Sequence, residues 1–313
     1  MVAFVFPGQG AQSVGMAQDI YDAFPEAREA FQTASRVLGY SVQELCFEGP
    51  EEKLRDTRFA QPALVTVSTA ILRVLEASAI LPDACAGHSL GEYAALVAAG
   101  KLSFEEALLL VAKRGELMAE ADPQHIGAMT AIMGLSGEDI DAIIRDAAQG
   151  RVLAAANYNC PGQIVLSGDK NAIADAEALA NTRGATNVVR LEVSGPFHSP
   201  LMRSAADAFL QYLQSARFVE GHAKVVSNVT ASWYTQDEMA LLLQKQIYSS
   251  VRWEDSIRFL AASGASRFIE VGPGKVIRGL MRRIDKTLPC QGSGDRGSLE
   301  KLLSEKTGEN PCS

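Results

Sequence analysis

The sequence predicts an α/β fold in which a small ferredoxin-like subdomain is inserted into a larger α/β domain. Short apolar runs at residues 2–6, 84–87 and 268–271 are typical of buried strands, and long stretches rich in helix formers separate them. Each run ends at glycine or proline, as a strand does where it enters a turn. Residues 125–193 have the element order β-α-β-β-α-β, which is that of ferredoxin-like units.

The first 121 residues are predicted to form two strands, each followed by two helices. Residues 61–77 carry apolar side chains around much of the helical circumference, which indicates a well-buried helix. Gly100 is a suitable helix end, and Ser103 is a good N-cap because acidic residues follow it in the first turn. The predicted elements are strands at 2–6 and 84–87 and helices at 13–38, 61–77, 90–99 and 103–121.

The middle of the chain has its own order of elements. Ser136 is a good N-cap, and residues 159–162 have the composition of a turn. The predicted elements are strands at 128–133, 152–158, 163–166 and 188–193 and helices at 136–147 and 170–180. We therefore assign residues 125–193 to the subdomain, and residues 1–124 and 194–313 to the larger domain.

The chain then returns to the larger domain. Pro200 suits the first turn of a helix, and the strand at 268–271 stops at Gly272-Pro273-Gly274. The predicted elements are helices at 199–216, 236–248, 253–262 and 275–284 and strands at 225–226 and 268–271. The remaining residues are polar, with one short helical segment at 298–303.

Composition excludes several classes of function. The chain of 313 residues is 47% hydrophobic and 21% charged, which is the balance of a folded globular protein. Its formal net charge of −8 argues against a general nucleic-acid-binding protein. No apolar run is as long as a membrane helix, and the short apolar start has no basic residues before it. We therefore expect neither a membrane span nor a secretory signal.

The cysteines and histidines predict neither a metal site nor a cofactor. Five cysteines lie far apart without CxxC spacing, and the four histidines include no HExxH pattern. Free thiols in a reducing cytoplasm are the expected state. The cysteines are Cys46, Cys85, Cys160, Cys290 and Cys312.

Gly87-His88-Ser89-Leu90-Gly91 lies between an apolar strand and a helix, which is the pattern of a nucleophile elbow. The serine of an elbow sits on a tight turn, so the residues two positions away must be small. The helix N-terminus then directs backbone N–H groups and a positive dipole at a developing oxyanion. The pattern alone is weak in a chain rich in glycine and serine, and a tight turn without chemistry is the alternative.

A serine nucleophile needs a base, and four histidines are available. His88 is adjacent to the serine and should point elsewhere from the turn. His198 lies in a loop that enters a helix, where it can present its ring to a cleft, but a loop histidine without a role fits equally well. His125 and His222 are better explained as surface or core residues.

Several motifs occur in a characteristic order. They are Phe6-Pro7-Gly8-Gln9-Gly10-Ala11-Gln12, Gly87-His88-Ser89-Leu90-Gly91-Glu92-Tyr93, Arg114-Gly115-Glu116-Leu117-Met118, Phe197-His198-Ser199-Pro200-Leu201-Met202 and Glu270-Val271-Gly272-Pro273-Gly274. With them the chain resembles the malonyl-CoA:acyl-carrier-protein transacylases, the acyltransferase family of fatty-acid and polyketide synthesis. The resemblance implies a hydrolase-like core with a mostly parallel sheet plus a ferredoxin-like subdomain, in agreement with the organisation above.

The resemblance implies catalytic roles for five residues. Ser89 matches the family nucleophile, and His198 matches the base that activates it. Gln9 and Leu90 match residues whose backbone N–H groups form the oxyanion hole. Gln246 matches a glutamine whose main-chain carbonyl orients the histidine, where hydrolases use an acid.

Four further residues match substrate-binding positions of the family. Arg114 matches the arginine that holds the malonyl carboxylate, and its planar fork of donors suits that task; by its helix position beside Lys113 alone, it would be a solvated residue. Phe197 matches the pattern of malonyl-selective members, in which a bulky ring leaves little room for an α-methyl branch, and simple packing is the alternative. Asn157 and Asn159 match a segment that lines the pantetheine path.

The expected reaction is transfer of a malonyl group from malonyl-CoA to the phosphopantetheine thiol of acyl carrier protein, through a malonyl-serine intermediate in a ping-pong cycle. We expect a cytoplasmic monomer that binds neither nucleic acid nor membrane. The alternatives are a trans-acting acyltransferase of a polyketide pathway, a serine thioesterase or esterase, and a non-catalytic carrier-binding module. A hydrolase would normally supply an acid to the histidine, and the sequence reveals none.

Carrier proteins are acidic as a class, so a chain of net charge −8 has to dock one through a local basic surface. Lys275, Arg278, Arg282 and Arg283 recur at helical spacing and are candidates for one basic face. A solvated helix face without a docking role is the alternative.

Overall fold

The chain folds into two units, which the computed structural model describes over residues 1–307. The larger unit consists of Met1–Gly115, Arg217–Val226 and the chain from Phe259 onward. The smaller unit consists of Glu116–Ala216 and Ser227–Arg258. The predicted boundaries of the ferredoxin-like subdomain, residues 125–193, remain a prediction.

Helices and strands occur along the whole described chain. The strands are β1 (Val2–Phe6), β2 (Ala84–Gly87), β3 (Gly127–Met133), β4 (Leu153–Cys160), β5 (Gln163–Asp169), β6 (Asn187–Arg190), β7 (Lys224–Val226), β8 (Arg267–Glu270) and β9 (Cys290–Gly292). The helices are α1 (Gln18–Ala23), α2 (Pro25–Leu38), α3 (Val42–Phe47), α4 (Glu51–Arg55), α5 (Thr57–Ala77), α6 (Gly91–Ala98), α7 (Phe104–Glu120), α8 (Gly137–Ala148), α9 (Lys170–Thr182), α10 (Arg203–Ser215), α11 (Met239–Gln246), α12 (Trp253–Ala262), α13 (Val276–Ile284) and α14 (Arg296–Thr307). Short 3₁₀ helices, Pro200–Met202 and Gln236–Glu238, lead into α10 and α11.

The larger unit is built on a parallel sheet with the strand order β7-β2-β1-β8-β9. Residues 3–6 of β1 are all fully buried, as expected for a central strand of a parallel sheet covered on both faces. Phe6 at the end of β1 lies opposite Gly87 at the end of β2. The loops that follow these two strands therefore leave the same edge of the sheet side by side, where α/β proteins place their sites. The predicted, mostly parallel sheet is confirmed.

The start of α5 and the middle of α7 pack closely in the larger unit. The Asp56 side chain caps α5 by accepting a hydrogen bond of 2.9 Å from the Arg58 N–H, so the helix begins four residues before the predicted start at 61. A Cβ atom on Gly115 would lie 2.7 Å from the Thr57 carbonyl oxygen. Only glycine permits this approach, and it brings the neighbouring Arg114 to the start of α5.

The smaller unit contains an antiparallel sheet with the strand order β4-β5-β3-β6. Helices α8 and α9 cover it through a core that includes Ile132, Ile140, Ile143, Leu166 and Ile173. The order β3-α8-β4-β5-α9-β6 is the ferredoxin-like arrangement that the sequence predicts. Ser136 caps α8 as predicted, in a reciprocal pair of hydrogen bonds with Asp139.

Some short elements differ from the prediction. The predicted helix at 13–38 is instead two helices, because Phe24 is extended (φ −120°, ψ 124°) and Pro25 begins α2. A proline disfavours the helical conformation in the residue before it, which explains the break. Helices α3 and α4 and strand β9 were not predicted, since elements of three to six residues show little periodicity.

The described part of the chain holds no helix long and apolar enough to cross a membrane.

Cys46 and Cys85 are buried free thiols, Cys290 is a half-buried free thiol, and Cys160 is buried. Burial raises the pKa of Cys46 to about 12. Cys312 lies outside the described residues. Among residues 1–307 we find no group of three or more His, Cys, Asp and Glu side chains that could hold a metal ion.

Candidate active site

Ser89 occupies the tight turn between β2 and α6 in the larger unit. Its φ of 50° lies in the left-handed region, which is unfavourable for a residue with a side chain. A Cβ atom on Gly87 would lie 1.9 Å from the carbonyl carbon of Gly91, and one on Gly91 would lie 2.4 Å from the Phe6 oxygen. The turn is therefore possible only with glycine on both sides of the serine, which is the steric condition of a nucleophile elbow.

The backbone around Ser89 brings two loops together. His88 N–H donates a hydrogen bond of 2.9 Å to the Phe6 carbonyl, and a Cβ on Gly8 would lie 2.4 Å from the His88 oxygen. Gln9 follows in this loop, and Leu90 is the N-cap of α6. The N–H of Leu90 thus lies at the positive end of a helix, and Gln9 comes from the neighbouring strand end, as the resemblance implies for an oxyanion hole.

Arg114 of α7 reaches the nucleophile candidate from the same unit. Its Nη2 lies 3.3 Å from Ser89 Oγ, its Nη1 donates a hydrogen bond of 2.7 Å to Gln61 Oε1, and its guanidinium carbon lies 5.8 Å from the centre of the Tyr93 ring. The residue is 0% exposed, so the alternative of a solvated helix residue is wrong. The structure places a cation directly beside the serine hydroxyl.

Burial sets the electrostatics around this arginine. Burial lowers the pKa of Arg114, and the nearby Tyr93 and Glu92 raise it. Burial also raises the pKa of Tyr93, so its phenol stays neutral. A guanidinium remains charged in proteins, and a charge removed from water attracts an anion much more strongly than an exposed one does. The cation beside Ser89 therefore favours an anionic group next to the hydroxyl, although the buried Glu92 also interacts with it.

Thr57 and Gln61 belong to the site although sequence reasoning missed them. Thr57 Oγ1 donates a hydrogen bond of 2.9 Å to Gln9 Oε1, and Gln61 Nε2 donates one of 2.8 Å to Thr57 Oγ1. Both residues are 0% exposed. A signal that could have found Gln61 is an amide side chain within a helix that is apolar around much of its circumference, since buried polar groups need partners.

His198 is held by the end of a helix in the smaller unit. Its φ is 59°, again left-handed, and its side chain and backbone are both fixed. The backbone N–H donates a hydrogen bond of 3.1 Å to the Ile247 oxygen, and Nδ1 lies 2.7 Å from the Gln246 oxygen. A carbonyl only accepts, so Nδ1 carries a proton, and in the neutral imidazole Nε2 keeps its lone pair. His198 is therefore presented in the tautomer of a base.

The Gln246 carbonyl stands at the C-terminus of α11, where helix carbonyls lack partners within the helix and the dipole is negative. That dipole favours a positively charged imidazole. The Arg203 guanidinium lies 4.0 Å from the centre of the Tyr248 ring, and Gln244 Nε2 donates a hydrogen bond of 3.1 Å to Asp207 Oδ1. These contacts join α10 to α11 and keep the acceptor in place.

Two local hydrogen bonds hold the loop around His198. Phe197 N–H donates to the Gly195 oxygen at 3.0 Å, and the Ser199 hydroxyl donates to the Pro196 oxygen at 2.6 Å. Phe197 is buried, which both the selective role and the packing role require. The two interpretations of this ring therefore stay open.

Asn157 and Asn159 are buried residues of β4 in the same unit. The segment after α11 pairs with this edge strand, since Tyr158 N–H donates to the Val251 oxygen at 2.9 Å and Val251 N–H donates to the Ala156 oxygen at 2.8 Å. That segment begins beside Gln246. The smaller unit thus brings His198 and Gln246 into direct contact and places both asparagines on the strand edge that the same segment covers.

Only three of the four residues of the predicted basic face at α13 are exposed. Arg278 Nε lies 2.9 Å from Oε2 of the fully buried Glu270, so this arginine is engaged in an internal ion pair. Lys275, Arg282 and Arg283 are exposed. These three residues are the part of the prediction that the structure leaves on the surface.

Comparison with known proteins gives consistent matches along the chain. The family model of the acyl transferase domain matches residues 3–289. The malonyl CoA-acyl carrier protein transacylase of Bacillus subtilis (strain 168) is 43% identical over 311 residues, which cover 99% of this chain and 98% of the relative. The protein of the same name from Escherichia coli (strain K12) is 42% identical over 303 residues, or 96% of this chain and 98% of the relative.

Solved structures of similar proteins also match this chain over nearly its whole length. A type II PKS acyl-carrier protein in complex with its malonyl-transacylase contains a chain that matches with a TM-score of 0.95 at 41% identity, over 97% of this chain and 99% of that one. An acyl carrier protein S-malonyltransferase from Vibrio cholerae matches with a TM-score of 0.93 at 42% identity, over 96% and 99%. With a matching family model and full-length relatives, the chain belongs to the acyl transferase family and is an acyltransferase.

Proposed function

We propose that this acyltransferase moves a malonyl group from malonyl-CoA to the phosphopantetheine thiol of an acyl carrier protein in fatty-acid synthesis. The observation that carries the proposal is the buried Arg114 guanidinium 3.3 Å from Ser89 Oγ. A malonyl group on that oxygen has its carboxylate one methylene beyond the ester carbonyl, within reach of the guanidinium. The names of the Bacillus subtilis and Escherichia coli relatives support the same reaction.

Ser89 acts as the nucleophile and His198 as its base in this proposal. The hydrogen bond from Nδ1 to the Gln246 carbonyl supports it, because it leaves Nε2 able to accept the serine proton. The backbone N–H groups of Gln9 and Leu90 stabilise the oxyanion. Their positions at the end of β1 and the start of α6 support that role.

The cycle has two halves. Ser89 Oγ attacks the thioester carbonyl of malonyl-CoA while His198 takes its proton, and the departing CoA sulfur receives that proton as the malonyl-serine ester forms. The carrier thiol then gives its proton to His198 and attacks the ester, and Ser89 recovers a proton as the malonyl-carrier thioester leaves. Phe197 limits branching next to the carbonyl, and Asn157 and Asn159 line the path of the pantetheine arm.

Intact-mass analysis tests the proposal. After incubation with malonyl-CoA, the wild-type enzyme should gain one malonyl group, which added holo acyl carrier protein removes. Ser89→Ala should gain none. A malonyl adduct that persists in Ser89→Ala would show that another residue carries the acyl group, and release to water without gain from carrier thiol would favour the hydrolase alternative.

A polyketide pathway is the second candidate, because one similar structure is a transacylase bound to a type II PKS acyl-carrier protein. Fatty-acid and polyketide carriers present the same thiol, so the protein surface has to discriminate them. Comparing kcat/KM for one holo carrier of each kind decides between the two pathways. A higher value with the polyketide carrier would overturn the assignment to fatty-acid synthesis.

The acidic carrier docks on Lys275, Arg282 and Arg283 in this proposal, since these exposed cations offer charge complementarity on a chain of net charge −8. Arg282→Glu with Arg283→Glu should raise the KM for the carrier and leave that for malonyl-CoA unchanged. The exposed pair Arg36→Glu with Arg55→Glu changes the net charge equally and is the matched control. An equal rise for both substrates, or the same rise in the control, would count against docking at α13.

The enzyme is further proposed to act as a monomer in the cytoplasm. Its free, buried thiols support a reducing compartment. Sedimentation of the purified protein checks the oligomeric state, and a stable dimer at micromolar concentration would contradict it.

A further inference from the structure

A continuous series of hydrogen bonds in the larger unit links Arg114, beside Ser89, to Gln9. Arg114 Nη1 donates to Gln61 Oε1 at 2.7 Å, Gln61 Nε2 donates to Thr57 Oγ1 at 2.8 Å, and Thr57 Oγ1 donates to Gln9 Oε1 at 2.9 Å. Arg114, Gln61 and Thr57 are all 0% exposed. A largely buried series of hydrogen bonds restrains the side chains that it joins.

The order of donors and acceptors in this series of hydrogen bonds follows from Arg114. A guanidinium only donates, so the Gln61 amide must turn its oxygen to Arg114 and its nitrogen to Thr57. The Thr57 hydroxyl then accepts from Gln61, which leaves its own hydrogen for Gln9. The charge of Arg114 therefore fixes the orientation of the Gln9 side chain three links away.

The hydrogen bond from Thr57 restrains the Gln9 side chain itself. Gln9 lies between Gly8 and Gly10, and Gly10 has a φ of 98° that favours glycine. The backbone on either side is restrained separately, because Gly8 approaches the His88 carbonyl closely and the Gly10 N–H donates a hydrogen bond of 2.8 Å to Gln12 Oε1. Thr57 lies where Gly115 packs closely against the start of α5, so its hydrogen bond ties Gln9 to a closely packed part of the unit.

We propose that Thr57 is a positioning residue that couples the oxyanion-hole residue Gln9 to the carboxylate-binding Arg114 through Gln61. The inference rests on the proposed function. An acyl group with a carboxylate holds Arg114, and the series of hydrogen bonds transmits that restraint to the Gln9 loop. A carboxylate-free acyl group such as acetyl lacks this restraint, so part of the selection for malonyl is made in the rate of acylation and not in binding.

Single-turnover acylation at saturating malonyl-CoA or acetyl-CoA tests the coupling. Thr57→Val removes the hydroxyl at nearly constant volume and should slow malonyl transfer to the enzyme about tenfold, with acetyl transfer slowed less and the KM for malonyl-CoA little changed. Thr57→Ser should restore the rate. Thr66→Val is the matched control, because Thr66 is also fully buried on α5 and its hydroxyl donates to the Pro62 oxygen at 2.8 Å.

Two outcomes would overturn the coupling: equal loss of rate in Thr57→Val and Thr66→Val, or equal slowing of malonyl and acetyl transfer. A wild-type enzyme that forms no malonyl adduct would instead overturn the proposed function. Gln9→Met keeps the backbone N–H and gives a second route if Thr57→Val folds poorly. Its loss should match that of Thr57→Val and should not add to it in the double variant, and additive losses would contradict the proposal.

Discussion

Ser89 in the larger unit and His198 in the smaller unit share an unfavourable backbone conformation but are held in it by different means. Their φ values are 50° and 59°. Ser89 is held by packing, because the β2–α6 turn leaves room only for glycine at positions 87 and 91. His198 is held by hydrogen bonds from its ring and its backbone to two successive carbonyls, those of Gln246 and Ile247.

The two kinds of restraint should respond to different substitutions. A left-handed residue costs about 1–3 kcal/mol, so the surroundings must supply at least that much. A restraint made by packing depends on residue size and fails when a side chain is enlarged. A restraint made by main-chain acceptors depends on helix position and tolerates changes of side chain. Three substitutions follow in order of expected effect, and the first and last of them test this contrast.

Gly87→Ala should have the largest effect. Its new Cβ would lie 1.9 Å from a backbone carbon of Gly91, so we expect the free energy of unfolding to fall by about 3 kcal/mol or more. Gly279→Ala on α13 is the control, because no atom lies within 4 Å of its added Cβ, and it should gain about 0.5–1 kcal/mol. Urea denaturation measures both, and similar stabilities would refute the packing account.

Arg114→Ala should have an intermediate effect that is larger for malonyl than for acetyl transfer. Loss of charge-assisted hydrogen bonds to the carboxylate should lower kcat/KM for malonyl-CoA about 10²-fold and for acetyl-CoA much less. Arg114→Lys keeps the charge without the planar fork and should fall between the two. Competition between the two thioesters, with the melting temperature as a check on folding, gives the ratio. A parallel loss for both acyl groups would remove the carboxylate role.

Gln246→Met should have the smallest effect. The substitution changes the buried side chain but leaves the carbonyl that accepts from His198, so kcat should stay within about threefold of wild type. Steady-state kinetics with malonyl-CoA and holo carrier protein measure it. A hundredfold fall in kcat, in a variant with an unchanged melting temperature, would mean that the side chain itself acts on His198.

The same contrast between packing and main-chain hydrogen bonds explains which features could be predicted from the sequence. Packing leaves a signature in residue types, so the elbow at Ser89, the apolar strands and the ferredoxin-like order could all be predicted from pattern. A main-chain acceptor has no such signature, and Gln246 was reached only through family resemblance. The burial of Arg114 depends on contact between Gly115 and Thr57, residues 58 positions apart. Local helix position could not reveal it.

The helix end that holds His198 also shapes how the enzyme responds to acid. A carboxylate that orients an imidazole can itself take up a proton, so two groups would switch off the base in acid. The Gln246 carbonyl has no such protonation step in the physiological range. In the proposed mechanism, one proton at this pair therefore governs the loss of acylation at low pH, and the logarithm of the rate should fall with a limiting slope of about one against pH.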